Sequence, residues 1–142
     1  MIEPIVTYRG TVYPHQCDHM GHMNVMWYAG KFDEACWQLL ASCGLTASRM
    51  RREGIAMAAV EGHIAYKREL HAGDVITVRS EIIEVCDKSV RMAHEMSNDE
   101  TGEVVASMIV VGVPIDAVSR KACPLPADVR VWMGDADSVG AA

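Results

Sequence analysis

The longest stretch of helical periodicity in this chain runs from Val25 to Leu40, and any fold must bury one face of it. Asn24 can cap its first turn, because the side chain can accept a hydrogen bond from a free N–H there. Gly44 is placed to end the helix. Lys31 falls outside the apolar stripe. The stripe has the spacing of a 3.6-residue helix and consists of Tyr28, Phe32, Ala35, Leu39 and Cys43.

Apolar segments on both sides of this helix predict strands. A first strand begins at Ile5 and is closed by Pro14, and four more follow the helix. The predicted strand segments are 5–13, 55–70, 75–85, 90–96 and 104–115. The order β-α-β-β-β-β predicts an α+β fold in which a five-stranded antiparallel sheet wraps around one long central helix.

The apolar patterns also predict which faces are covered. Residues 104–115 are apolar on both faces, so we expect an interior strand and a partner subunit over the face that the helix leaves open. Val60 is expected to face the helix and Glu61 to face solvent or another subunit, unless Gly62 marks a bulge that redirects Glu61. A short helix is expected over residues 46–53, with solvated arginines at positions 49, 51 and 52.

The composition fits one domain over residues 1–142, with a core at about 5–116 and an extension and frayed tail over 117–142. A net charge of −6 argues against nucleic-acid binding, which needs clustered positive charge. There is neither an apolar run long enough to span a membrane nor a signal-peptide pattern, so a cytoplasmic location is expected. The five cysteines lack CxxC spacing and are expected to be reduced thiols.

A polar motif leads directly into the helix. It has the spacing Asp-x-x-x-His-x-Asn-x-x-x-Tyr and consists of Asp18, His22, Asn24 and Tyr28. A second segment, from Ile64 to Leu70, is followed by Gly73, Asp74 and a strand. In order and separation the two segments resemble the hotdog-fold acyl-CoA thioesterases of the 4-hydroxybenzoyl-CoA thioesterase-like family, over roughly residues 5–116.

The resemblance implies a hotdog domain that forms either a dimer or a homotetramer built as a dimer of dimers. It also implies that the active site lies at the subunit interface. The expected reaction is hydrolysis of an acyl- or aryl-CoA thioester to the free acid and coenzyme A, with no metal ion or bound cofactor. In this branch the residue after the motif asparagine is often a second asparagine, whereas this chain has Val25. The identity of the acyl group is therefore not carried over.

Asp18 is the residue expected to carry the reaction. A carboxylate can attack a thioester carbonyl as a nucleophile or activate water as a general base, and both roles stay open. Free N–H groups at the start of the helix, near Asn24 and Val25, are the expected oxyanion donors. The alternative is that Asp18 only forms a turn. His22 is expected to orient Asp18, polarise the carbonyl or stack under the loop.

Other residues are expected to contact the substrate. Lys67 and Arg68 are candidates for the phosphates of coenzyme A. Glu61 is a candidate base or a residue that pairs across a subunit interface. Tyr28 is expected in the core or on a pocket wall. An apolar wall for the acyl group is expected from Trp27, Tyr28, Phe32 and the methionine-rich segment around Met57.

Other interpretations are weaker but distinct. A zinc site is disfavoured by spacing, although the residue types suit it at His15, Cys17, His19 and His22. A hotdog hydratase or dehydratase would use an Asp/His pair for proton transfer, and no second acid-base pair stands at a matching spacing. A non-catalytic acyl-CoA-binding module would keep the fold without needing Asp18. The absence of a Gly-x-Ser-x-Gly motif argues against an α/β-hydrolase mechanism.

Overall fold

The computed structural model describes residues 3–134 of the 142-residue chain. The strands in this part of the chain are β1 (Ile5–Thr11), β2 (Ile55–Tyr66), β3 (Val75–Val85), β4 (Val90–Asn98) and β5 (Val104–Asp116). The helices are α1 (Val25–Ser42), α2 (Ala47–Glu53) and α3 (Ala127–Trp132), and Pro14–Gln16 form a 3₁₀ turn. The end of the predicted tail, from residue 135 on, lies outside the described residues.

The five strands form one antiparallel sheet in the order β1-β3-β4-β5-β2. The predicted antiparallel sheet is confirmed, with β1 and β2 ending earlier than predicted. β5 pairs with β4 on one side and with β2 on the other, so the strand that is apolar on both faces lies inside the sheet. β1 and β2 form the two edges.

α1 is the longest helix of the described residues and packs against β1, β3 and β4. The side chains predicted for its apolar stripe are all buried. Asn24 caps the helix as predicted, because its Oδ1 accepts a hydrogen bond from the Met26 N–H at 3.0 Å. Burial of the stripe, more than helix propensity, holds α1 on the sheet. No helix within residues 3–134 is long and apolar enough to cross a membrane.

Lys31 is buried, although it falls outside the predicted stripe. Only 3% of this residue is exposed. Its Nζ donates a hydrogen bond to the Tyr8 hydroxyl at 3.2 Å and lies 5.3 Å from the centre of the Tyr8 ring. A cation over a phenol ring therefore joins α1 to β1, in addition to the apolar contacts.

The prediction that Val60 faces the helix is wrong. The register between β2 and β5 shifts between Ala59 and Glu61, so Val60 is the extra residue of a bulge and is 61% exposed. Glu61 pairs with Val111 of β5 and is exposed. The bulge therefore lies at Val60 and not at Gly62.

The C-terminal segment packs onto the core next to α2. Arg49 of α2 donates two hydrogen bonds of 2.7 Å to the Asp128 carboxylate of α3 and one of 2.6 Å to Glu53. The Arg49 side chain is only 18% exposed, so the expectation of a solvated arginine is wrong at this position. Three residues of the segment are buried in the core, namely Leu125, Val129 and Met133.

All five cysteines are free thiols, as expected. Cys36 and Cys43 are buried, whereas Cys86 is exposed. Burial raises the pKa of Cys36 to about 12, so this thiol stays protonated.

Candidate active site

A tight turn before α1 fixes the position of Asp18. Its Oδ1 accepts a hydrogen bond from the Met20 N–H at 2.8 Å, and its carbonyl accepts one from the Gly21 N–H at 3.0 Å. The Asp18 N–H donates to the carbonyl of His22 at 3.1 Å. Gly21 has a φ of 87°, a left-handed conformation that favours glycine. The turn that was expected as the alternative role of Asp18 is therefore present.

Asn24 connects the Asp18 carboxylate to the first turn of α1. Its Nδ2 donates to Asp18 Oδ2 at 2.8 Å, while its Oδ1 accepts from the Met26 N–H. Its backbone N–H donates to the carbonyl of Gln16 at 2.9 Å. One side chain thus caps the helix and sets the distance between the carboxylate and the helix N-terminus.

The same contacts keep Asp18 ionised. The hydrogen bond from Asn24, and after it the bond from the Met20 N–H, lowers the pKa of Asp18 below its usual value of 3.8. Asp18 is partly exposed, and burial, which raises the pKa, has a smaller effect than either of these two hydrogen bonds. At neutral pH the group is therefore a carboxylate, the form that both a nucleophile and a general base require.

His22 does not hold Asp18 through its side chain. The contact between the two residues is the backbone bond to the His22 carbonyl. The imidazole Nε2 instead lies 3.6 Å from a carboxylate oxygen of Glu69, and the side chain lines a cavity. The backbone carbonyl of His22 therefore makes the contact with Asp18. The His22 side chain does not make the contact that its first expected role, orientation of Asp18, would require.

The N–H of Val25 is the free donor at the start of α1. Within residues 3–134 it has no hydrogen-bond acceptor, whereas the Met26 and Trp27 N–H groups are both bonded to Asn24. It stands at the positive end of the helix dipole. The exposed Val25 side chain lines the same cavity as His22.

A cavity of about 810 Å³ opens beside this end of α1. One wall carries Val25 and Tyr28, and another carries residues 66–69. The Tyr28 hydroxyl donates to the carbonyl of Arg68 at 3.3 Å, and its ring meets the edge of the Tyr66 ring with centres 5.2 Å apart. Burial raises the pKa of Tyr28 to about 12, so the hydroxyl remains a donor.

Backbone bonds join the two sequence segments that carry the family resemblance. The Met23 N–H donates to the carbonyl of Leu70 at 2.7 Å. The Val12 N–H donates to the carbonyl of Asp74 at 2.8 Å, close to where β3 begins. The loop before α1 and the segment after β2 therefore form one side of the cavity together.

The two basic residues predicted for the phosphates, Lys67 and Arg68, both line the cavity. Arg68 is already paired, with its Nε 3.0 Å from Glu103 Oε2. Lys67 has no ion-pair partner within residues 3–134. The cavity wall of one chain carries more carboxylates than cations, since four line it: Glu69, Asp74, Glu100 and Glu103.

Three predicted site residues do not line the cavity, namely Asp18, Asn24 and Glu61. Asp18 lies next to it, joined through Asn24 to the helix end that forms its wall. Glu61 lies on the bulged part of β2, opposite Val111. Within one chain the structure does not bring Glu61 to this site, so its role stays a prediction that requires a second subunit.

The predicted apolar wall is not one surface, and this expectation is corrected. Tyr28 and Phe32 belong to one buried cluster, against which Trp27 packs. Met57 packs against a different cluster, which contains Leu39. The Val60 bulge and the length of α1 separate Met57 from the cavity at the helix start.

The four residues weighed as a zinc site do not come together. Among residues 3–134 no three His, Cys, Asp or Glu side chains are placed to hold a metal ion. His15 packs its ring against Trp27, with centres 5.3 Å apart, and stacks on Tyr13.

The sequence did not single out several cavity residues. Tyr66 and Glu69 lie within the second segment that carries the resemblance, so that segment was the available signal. The turn between β4 and β5 also lines the cavity, through Asn98 and Thr101 among others. The sequence analysis places this turn only as the connection between two predicted strands, because nothing local in its sequence shows that it reaches the start of α1.

Comparisons with known proteins place this geometry in a family. A model of the thioesterase-like superfamily matches residues 12–133. The 1,4-dihydroxy-2-naphthoyl-CoA hydrolase of Synechococcus sp. strain CC9605 is 30% identical over 136 residues, covering 92% of this chain and 89% of that protein. The long-chain acyl-CoA thioesterase FadM of Escherichia coli strain K12 is 27% identical over 116 residues, covering 82% of this chain and 87% of that protein.

A solved structure and a longer relative add to these matches. The structure of Slr0204, a 1,4-dihydroxy-2-naphthoyl-CoA thioesterase from Synechocystis, superposes with a TM-score of 0.81 at 25% identity, covering 93% of this chain and 97% of that chain. This chain spans only 22% of the length of the L-carnitine dehydrogenase/betainyl-CoA thioesterase of Agrobacterium fabrum, to which it is 30% identical over 109 residues.

The fold and the loop before α1 thus define a protein of the thioesterase type, and the chain belongs to the thioesterase-like superfamily. The predicted membership in a family of thioester hydrolases is confirmed. The names of the relatives differ in the acyl group, so similarity alone does not choose among substrates.

Proposed function

We propose that this protein hydrolyses acyl- or aryl-CoA thioesters to the free acid and coenzyme A. The observation that carries the proposal is the hydrogen-bonded series from the Asp18 carboxylate through the Asn24 side chain to the Met26 N–H. It ties an ionised carboxylate to the first turn of α1, where the N–H of Val25 is free, and an open cavity lies next to this helix end. The thioesterase relatives support the same reaction class.

In the proposed mechanism the thioester carbonyl lies between Asp18 and the N–H of Val25, which stabilises the developing oxyanion. As a nucleophile, Asp18 attacks the carbonyl carbon, the C–S bond breaks, coenzyme A thiolate leaves, and water hydrolyses the acyl-aspartyl anhydride. As a general base, Asp18 takes a proton from the attacking water, and the proton passes to the leaving thiolate. Mass spectrometry of the Asp18 peptide after an acid quench separates the roles, because only the nucleophile carries the acyl group.

The remaining cavity residues have supporting roles in this proposal. Lys67 contacts a phosphate of coenzyme A, since it is the cavity cation whose charge is not already paired. His22 contacts the substrate from the cavity wall. The reaction needs no metal ion or bound cofactor, because the carboxylate and the backbone donor supply the required chemistry.

We further propose that the protein forms a homo-oligomer of hotdog domains, in each of which the sheet wraps around α1. We place this oligomer in the cytoplasm. β2 is a 12-residue strand at one edge of the sheet, and an open edge of this length favours pairing with another chain. Ile109 of β5 and Val60 of β2 expose apolar surface nearby. Sedimentation analysis is expected to give the mass of a dimer or tetramer, and a monomer mass at micromolar concentration would contradict this part.

The test is the release of free coenzyme A thiol from a panel of acyl-CoAs by the wild type, Asp18→Asn and Asp116→Asn. Asp116 is a matched control, because its carboxylate also accepts two hydrogen bonds, here both from backbone N–H groups, and also has a lowered pKa, but it lies at the end of β5. We expect kcat to fall by about a hundredfold or more in Asp18→Asn only. Equal activity of the two variants would remove Asp18 from the chemistry, and no turnover by the wild type would favour a hydratase or a binding module.

A further inference from the structure

A buried hydrogen-bond network crosses the core between α1 and the sheet, away from the proposed chemistry. Its members are Cys36, His94, Ser80 and Thr7. We infer that this network fixes the position of α1 on the sheet and thereby places the start of the helix for thioester hydrolysis, so that Cys36 and His94 are positioning residues. The inference rests on the proposed function, because the exact position of the helix start matters for catalysis only if the oxyanion donor lies there.

Each contact of the network joins two different elements of the fold. Cys36 Sγ of α1 lies 3.0 Å from His94 Nε2 of β4. The other ring nitrogen of His94, Nδ1, lies 2.5 Å from Ser80 Oγ, and these two residues are direct partners in the pairing of β3 with β4. Ser80 Oγ lies 2.7 Å from Thr7 Oγ1 of β1, which donates to the carbonyl of Val78 at 3.3 Å. All four network residues are buried.

The carbonyl at the end of the network fixes the direction of every hydrogen bond. A carbonyl only accepts, so the Thr7 hydroxyl gives its one hydrogen to Val78 and accepts from Ser80. The Ser80 hydroxyl has then used its hydrogen, so it accepts from His94 Nδ1–H. Burial lowers the pKa of His94 to about 4, so the ring is neutral at neutral pH and its Nε2 is an acceptor. The Cys36 thiol, whose pKa burial raises to about 12, therefore donates to Nε2.

Only one position of α1 within a helical turn meets this requirement. The buried α1 residues within four positions of Cys36 are all apolar, namely Phe32, Ala35, Leu39 and Leu40. A slip of the helix by one turn in either direction would put an apolar side chain against His94 Nε2 and leave this buried acceptor unpaired, which is costly. Apolar contacts have no direction, so they oppose such a slip less strictly. The network therefore selects one register of α1 on the sheet.

The helix carries this selection to the candidate site. Cys36 follows Val25 by eleven residues, which is about 16 Å along the helix axis. A shift of α1 would move the Val25 N–H and, through the Asn24 side chain, Asp18 relative to the cavity wall of residues 66–69. A misplacement of about 1 Å can lower a rate about a hundredfold. Because Lys67 on that wall stays in place, the loss should appear in kcat more than in KM.

The experiment measures kcat, KM and Tm of the wild type, Cys36→Ala, Cys36→Ser and Cys43→Ala with one acyl-CoA that the wild type hydrolyses. Cys43→Ala is the matched control, because Cys43 is a buried thiol of the same stripe but its sulfur lies near Ser42 and outside the network. We expect kcat to fall by about tenfold to a hundredfold in Cys36→Ala with KM nearly unchanged. Cys36→Ser keeps a donor and should retain most of kcat, and Cys43→Ala should retain all of it.

Equal kcat values of Cys36→Ala and Cys43→Ala would overturn the inference, and so would a Cys36→Ser variant as impaired as Cys36→Ala. No turnover by the wild type would instead refute the proposed function. If Cys36→Ala does not fold, the double variant Cys36→Val/His94→Leu replaces it, because donor and acceptor are removed together and neither is left unpaired. Its kcat should be lowered like that of Cys36→Ala, and wild-type kcat in the folded double variant would overturn the inference.

The direction of the hydrogen bonds has a test that is independent of activity. NMR of the ring nitrogens of His94 in the wild type should show the hydrogen on Nδ1 and none on Nε2. The opposite tautomer would overturn the inference, because the Cys36 thiol would then have no acceptor and would not select the register of α1.

Discussion

Asn24 has two roles that substitutions can separate. Its Oδ1 caps α1 at the Met26 N–H, and its Nδ2 holds Asp18 Oδ2 at 2.8 Å. Asn24→Ser keeps an oxygen that can cap the helix, but its side chain is too short to replace the amide donor to Asp18. Asn24→Ala removes both contacts. The two variants should therefore share a catalytic defect and differ in stability.

The expected size of each effect follows from these contacts. Loss of an N-cap costs about 1 kcal/mol, which lowers Tm by about 4 °C in a chain of this size, so Asn24→Ala should show this loss and Asn24→Ser little of it. A misplaced carboxylate should lower kcat/KM between about tenfold and a hundredfold in both variants. Because the largest cause of the lowered pKa of Asp18 is removed, the acid limb of the pH profile should move up toward 3.8.

Thermal unfolding by circular dichroism and thiol release across pH check this prediction. The midpoint at which the wild type loses activity should lie below pH 3.8, because Asp18 must be ionised to react and its pKa lies under that value. Full activity of Asn24→Ser would show that the bond between Asn24 and Asp18 is not needed. An unchanged Tm of Asn24→Ala would show that the cap contributes nothing.

Three further predictions concern other contacts. Lys67→Ala should raise KM for acyl-CoA several-fold with kcat unchanged. Arg68→Ala should raise KM less, because the Arg68 guanidinium is already paired with Glu103. Equal increases in KM, measured by steady-state kinetics, would contradict this prediction. Arg49→Ala should lower the free energy of unfolding by about 1 kcal/mol, because it removes a bidentate but partly exposed ion pair. Arg51 is exposed, so Arg51→Ala should leave the free energy of unfolding unchanged. Urea unfolding of the two variants checks this difference. Burial lowers the pKa of His94 from 6.5 to about 4, so the folded state favours the neutral imidazole. The contribution of His94 to the free energy of unfolding should therefore be complete above pH 6.5. Between pH 6.5 and pH 4 the free energy of unfolding should fall by up to about 1.4 kcal/mol per pH unit. A His94→Gln variant with the same pH dependence would contradict that cause.

The features that the sequence predicted are the ones that local spacing decides. The α1 stripe and the Asn24 cap depend on residues within a few turns of one helix, and the structure has both. Asp18 and Asn24 are six residues apart, so a loop could be expected to bring them together. The family resemblance also drew attention to the segment that lines the cavity after β2.

The features that were missed depend on partners far away in the chain. The bulge at Val60 is set by its pairing with β5, and one extra residue there reverses which side chains face the core. Arg49 is held by Asp128, 79 residues later. The side chain of His22 turns toward Glu69 and not toward Asp18, a choice that no local pattern records. The turn between β4 and β5 likewise reaches the cavity only through the sheet.

The most direct test of the central claim is the rate of a single turnover by Asp18→Asn, with the enzyme in excess over one acyl-CoA that the wild type hydrolyses. Substrate affinity is measured separately by isothermal titration calorimetry. The proposed role of Asp18 predicts a rate about a hundredfold or more below that of the wild type, with Kd nearly unchanged. A single-turnover rate equal to that of the wild type would contradict it, because the carboxylate at the start of α1 would then not take part in thioester hydrolysis.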